Sequence, residues 1–83
     1  MTREVILYTR VECGLCDDAS RILRPLQRQL GFTLREVDID RDDTLRARFD
    51  AIIPVVELDG HVLLSAPFTG DELEEALRNQ LRA

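Results

Sequence analysis

Cys13 and Cys16 are the only cysteines in the 83 residues, and three positions separate them. Sulfur at that spacing can close a disulfide, bind a metal, sit inert, or cycle between thiol and disulfide. A disulfide-framework domain of this size spreads typically about four to eight cysteines along its chain. A loop this short also removes little entropy from the unfolded chain, so a purely structural crosslink has weak purpose. Structural zinc needs a tetrahedral ligand set. His61, the only histidine, could add a third ligand, but the next would have to be a carboxylate or come from another chain. Inert buried thiols are common, though seldom paired in this way. A redox-active dithiol is the reading that uses both sulfurs and their spacing.

Eleven Lys/Arg against sixteen Asp/Glu leave the chain at net −5. A negative domain has little to draw it to phosphate backbones or anionic lipid, so neither nucleic acid nor membrane is expected as a partner. Apolar runs stay far below the ~20 residues of a membrane-spanning helix. Arg3 and Glu4 ahead of a short apolar run do not have the layout of a signal peptide, and the expected location is cytoplasmic. The length fits one domain over residues 1–83.

The elements that must position the pair are legible around it. Val5-Ile6-Leu7-Tyr8 is a short β-favouring run suited to a buried central strand. After Thr9–Glu12 and the cysteine segment, Leu15, Ala19, Ile22, Leu23, Leu26 and Leu30 trace one face of a helix. Asp17 and Asp18 suit its first turn, Arg28 its last, and Gly31 its left-handed cap. Pro25 lies inside the pattern and predicts a kink, because the apolar face continues through it in phase. Residues 32–39 read as a second strand. Arg41-Asp42-Asp43 starts a short helix with Leu45 and Phe49 inward.

Val55–Leu58 and His61–Leu64 are strands joined by Asp59-Gly60, a type I′ hairpin signal. Thr69-x-x-Glu72 is a capping box with Phe68 and Leu73 as its staple, and Leu73, Ala76, Leu77 and Leu81 form the last helix's inner stripe. The predicted order is β-α-β-α-β-β-α. His61 reads as a solvated strand residue, and Tyr8 and Phe49 as core. Asp38, Asp40, Asp42 and Asp43 read as a loop and helix cap, since no calcium-loop glycine or bidentate Glu accompanies them.

A C-x-x-C between a strand and a helix is the context of a thioredoxin-like redox site. The run Leu7–Cys16, the Ile53-Pro54 step and the Asp59-Gly60 hairpin resemble a glutaredoxin-like protein of the thioredoxin superfamily, across nearly the whole chain. The resemblance implies an α/β thioredoxin-like fold. Its four-stranded mixed sheet has the order 2-1-3-4, strands 1 and 2 parallel and the last two antiparallel to their neighbours. Helices 1 and 3 cover one face and helix 2 the other. It also implies a cis bond before Pro54; sequence physics alone admits either isomer.

In that frame Cys13 lies just before the helix, where free N–H groups and the dipole favour a thiolate nucleophile, and Cys16 is the covered, resolving thiol. Gly14 is expected to let the turn close and keep the approach open, and Leu15 to give it an apolar edge. Arg10 should lower the Cys13 pKa if its head folds back, while Glu12, Asp17 and Asp18 would raise it. For Asp17 and Asp18 a solvated, dipole-supporting role is the simpler reading. Arg10 also occupies the position where glutaredoxins carry a basic glutathione contact.

Glutaredoxins further use an aromatic residue in the motif, a Thr two before the cis-proline and a Gly-Gly pair before the last helix. This chain has Leu15, Ile52 and Leu64-Ser65-Ala66-Pro67 there. The Ile53 backbone beside Pro54 can still pair with a peptide or glutathione, and Gly70 and Asp71 can receive a carboxylate.

The resemblance thus implies a thiol–disulfide oxidoreductase acting on protein or small-molecule disulfides. No cofactor is required, glutathione can serve as co-substrate, and the reductant is a thioredoxin-type partner or glutathione. The alternatives are a non-catalytic iron–sulfur binder, with Cys13 from two copies and exogenous thiols, and a redox-sensing or interaction module.

Overall fold

In the computed structural model, which describes residues 2–82, the Val5–Tyr8 run forms the middle of β1 (Glu4–Thr9). β1 is central: β2 (Thr33–Asp38) runs parallel on one side and β3 (Val55–Leu58) antiparallel on the other. β4 (His61–Ser65) pairs antiparallel with β3, so the order is β2-β1-β3-β4, as the resemblance implies. The helices are α1 (Gly14–Leu30), α2 (Asp43–Phe49) and α3 (Gly70–Arg82).

Alternation along the two central strands sorts their side chains into two cores. Val5, Leu7, Val56 and Leu58 meet Ala19, Leu23 and Leu26 of α1 and Leu73 and Leu77 of α3. Ile6, Tyr8 and Val55 point the other way, onto Ile39 and Phe49. Helices 1 and 3 therefore share one face and α2 takes the opposite one. Tyr8 and Phe49 stack with ring centroids 4.6 Å apart.

Local signals account for the element ends. Gly31 caps α1 at φ 77°, donating its N–H to the Gln27 carbonyl, and Pro25 lies within α1 without splitting it. Asp42 caps α2, its carboxylate accepting from the N–H groups of Thr44 and Leu45. Thr69 and Glu72 close the capping box reciprocally. The second strand is shorter than expected: Phe32 stays outside it, and Ile39 opens a 3₁₀ turn (Ile39–Arg41) capped by Asp38. Both flanking residues are buried, so their apolar character reports packing and not strand membership.

The hairpin turn has Asp59 at φ 49° and Gly60 at φ 87°, the positive pair a type I′ turn requires. The Asp59 carboxylate accepts from the Glu4 N–H at 2.9 Å and pairs with Arg3. The Glu4 N–H first, and Arg3 second, hold the Asp59 carboxyl below its ordinary 3.8. A folded value below the unfolded one stabilises the hairpin above that pH and loses the contribution as acid titrates the folded group. A carboxyl titration followed by NMR should give an Asp59 midpoint below 3.8; a midpoint at or above it would contradict this account.

Candidate active site

β1 ends at Thr9, and the chain must turn sharply to start α1 at Gly14. Glu12 makes the turn at φ 61°. Gly14 was expected to relieve this turn, and the structure corrects that: its φ is not positive and an added Cβ would meet nothing within 4 Å. The conformational strain sits on Glu12, whose side chain is exposed.

Cys13 is the N-cap residue of α1, in extended conformation (φ −112°, ψ 104°). Its Sγ accepts from the Cys16 N–H at 3.2 Å, and its carbonyl accepts from the Asp17 N–H at 3.0 Å. Sulfur thus takes the place of the usual capping oxygen, at the positive end of the helix dipole. One turn on, Cys16 is 1% exposed while Cys13 is half-buried. The two are joined as a disulfide with Cα atoms 5.2 Å apart. Of the two sulfur-bearing residues, Cys13 is the one open to solvent.

Arg10 is placed differently from a free cation beside the sulfur. Its guanidinium is bidentate on Asp40, at 3.1 and 2.9 Å, and also donates to Asp50 at 2.5 Å. These bonds raise the Arg10 pKa above its already high ordinary value and hold the Asp40 carboxyl below its own. The clasp ties the loop before Cys13 to the 3₁₀ turn and to the C-cap of α2. Its positive charge is shared between two carboxylates. Asp18 is likewise matched by Arg21.

Ile53-Pro54 is a cis bond, as expected, and so is Ala66-Pro67, which the sequence reading did not single out. The Ala66 N–H donates to the carbonyls of both Ile52 and Pro54 at 3.0 Å, holding the two proline segments side by side. Ile53 precedes β3, so its backbone lies outside the ladder that begins at Val55.

A groove of about 430 Å³ runs from Leu15 along Ala19 and Ile22 of α1 to Pro54, Pro67 and Phe68. Gly70 forms its far wall, where an added Cβ would come 2.7 Å from Ile22 Cδ1. The structure therefore brings Leu15, Pro54 and Gly70 to one groove. Asp71 follows in the exposed first turn of α3. Ile22 and Phe68 were legible only as core and staple residues; their patterns carry no sign of a second, groove-facing side.

His61 opens β4 beside Leu58, which pairs with Val5, whereas the cysteines follow the other end of β1. About 13 Å of strand separates Val5 from the Thr9 end, which removes His61 as a ligand shared with the cysteines. No group of three or more His, Cys, Asp or Glu set to hold a metal ion occurs among the described residues, and no helix there is long and apolar enough to cross a membrane.

One buried ionisable group escaped the sequence reading. Glu57 in β3 is 7% exposed and accepts from the Tyr8 hydroxyl at 2.9 Å. A lone acid in Val-Val-Glu-Leu was the available signal.

Comparison with known proteins agrees with this geometry. The family described as Glutaredoxin-like domain (DUF836) matches residues 4–78. Protein Ne2328 from Nitrosomonas europaea is 25% identical, with 90% of this chain and 91% of that one covered, at a TM-score of 0.75. A protein from X. campestris is 26% identical over 90% and 96%, at 0.67. Oxidised mitochondrial thioredoxin 3 from Saccharomyces cerevisiae is 18% identical over 93% and 77%, at 0.72, a likeness of fold alone.

Proposed function

The chain belongs to the glutaredoxin-like domain family, and on that premise we propose that it is a thiol–disulfide oxidoreductase with Cys13 as nucleophile and Cys16 as resolving thiol. The observation that carries the reading is the unequal exposure of two bonded sulfurs at a helix N-terminus. In the reduced protein the Cys13 thiolate attacks a substrate disulfide. The Cys13–substrate bond forms, the substrate S–S bond breaks, and the departing sulfur takes a proton. Cys16 then loses its proton and attacks Cys13 Sγ. The ring disulfide closes and the second substrate sulfur leaves as a thiol. Two electrons and two protons pass to the substrate, and a dithiol or glutathione reductant restores the pair.

The Cys16 N–H and the α1 dipole would stabilise the Cys13 thiolate. No resident cofactor enters these steps. The reducing conditions of the cytoplasm would keep the pair cycling. The Ile53 backbone, which precedes the β3 ladder, would pair with an extended partner, and Leu15 would give that partner an apolar contact.

Iodoacetamide alkylation of the reduced protein followed against pH should modify Cys13 first, with a midpoint below the roughly 8.5 of free cysteine. A midpoint at or above that value would refute the activated-thiolate assignment. Insulin reduction driven by dithiothreitol tests turnover directly, and a rate no higher than that of dithiothreitol alone would overturn the enzymatic reading.

A further inference from the structure

Large apolar side chains are exposed at four positions among the described residues, and three of them adjoin the redox machinery. Val11 is 73% exposed and Leu15 63%, each two residues from Cys13; Ile52, 36% exposed, lies two residues before Pro54. Leu15 leads directly into the apolar groove between α1 and the β4–α3 connection. Apolar surface gathered around a reactive group, and continuous with a groove, marks a surface that a partner covers.

The charges at the rim do not cancel. Arg10 faces two carboxylates, and Asp18 is balanced by Arg21. Glu12, immediately before Cys13, and Asp71, immediately after the groove residue Gly70, have no ion-pair partner among the described residues. The chain as a whole is at net −5. An approaching anion meets an unfavourable field, and a cation a favourable one.

We propose that this surface selects a protein disulfide in which a bulky apolar residue neighbours the reactive cysteine and basic residues flank it. The apolar side chain enters the groove beside Leu15, and the basic residues face the acidic rim. Anionic small disulfides, glutathione disulfide among them, are poor substrates. This deepens the oxidoreductase reading and rests on it; the thiol–disulfide steps and their proton balance are those given above.

The test uses the pre-reduced full chain in single turnover, without added thiol. Rate constants are measured by stopped flow for four matched peptide disulfides: Leu or Gly beside the cysteine, each with Arg or Glu flanks. Hydroxyethyl disulfide, small and neutral, is the reference. At low salt the Leu/Arg peptide should react roughly 10-fold or more faster than either Gly/Arg or Leu/Glu. At roughly 0.5 M salt the charge preference should shrink to about 2-fold while the Leu preference persists, because screening acts on exposed charges and not on apolar burial. In the Glu12→Gln, Asp71→Asn double variant, the charge preference at low salt should contract several-fold.

Equal rates across the peptides, alongside a measurable reaction with hydroxyethyl disulfide, would overturn the proposed selectivity and leave the oxidoreductase reading standing. An undiminished charge preference in the double variant would overturn the role given to the acidic rim. Failure with every disulfide, the reference included, would sink the oxidoreductase reading and the proposal with it.

Discussion

Cys13→Ser should lower disulfide-reductase turnover about 1,000-fold or more, to the background set by the reductant alone. A serine hydroxyl in the same place is un-ionised at neutral pH, and the helix N-terminus does not bring its pKa near the working range. Cys16→Ser should behave differently. Cys13 remains the reachable, half-buried sulfur, so the first exchange proceeds, but no neighbouring thiol closes the ring. The expected product is a stable mixed disulfide, seen as an intact-mass increase equal to the attached thiol and reversed by dithiothreitol. Cys13→Ser should give no such adduct on Cys16, which is 1% exposed. Turnover above a tenth of the original in Cys13→Ser, or adducts forming equally on either variant, would reverse or dismiss the assigned roles.

The second large effect concerns stability. Tyr8→Phe keeps the ring against Phe49 but removes the hydroxyl that donates to the buried Glu57. A carboxylate left without its donor loses about 1–3 kcal/mol, which for a domain of this size lowers Tm by roughly 4–8 °C per kcal/mol. Tyr8→Phe combined with Glu57→Leu removes both partners, so its loss should be smaller than the sum of the single losses.

The pH dependence carries a second signature. Burial first, and the hydrogen bond to Glu57 second, raise the Tyr8 pKa above 10.0 against the opposing pull of Arg48 and Arg35. Above pH 10 the unfolded chain releases the phenolic proton while the folded chain still holds it. The Tyr8 contribution is therefore complete below the unfolded value and is lost as pH rises through the folded one. Chemical denaturation between pH 8 and pH 11 should show that alkaline slope in the unaltered protein and a shallower one in Tyr8→Phe. A destabilisation near zero with parallel pH profiles would show that the pair contributes nothing.

The parts of the molecule legible from residue order are those whose cause is local. The cysteine spacing, the α1 apolar face, the Gly31 cap, the Asp59-Gly60 turn and the Thr69–Glu72 box each depend on residues within one or two turns of one another. Each appears where expected. The end of β2 did not, because Ile39 is apolar for the sake of the α2-side core and says nothing of its own backbone angles. Gly14 misled in a related way: glycine is permitted wherever a turn demands it, yet here Glu12 carries the left-handed angle.

Residue order alone thus establishes a βαβαββα chain with a dithiol at the mouth of its first helix, because periodicity, caps and tight turns are short-range physics. Only folding in three dimensions decides whom Arg10 holds, 30 and 40 positions away, and where the Glu57 carboxylate finds a donor, 49 positions away. The same is true of the groove, whose walls come from α1, the Pro54 loop and the start of α3. Those meetings follow from which strand lies beside which, and strand order is a property of the whole sheet that no neighbouring pair of residues encodes.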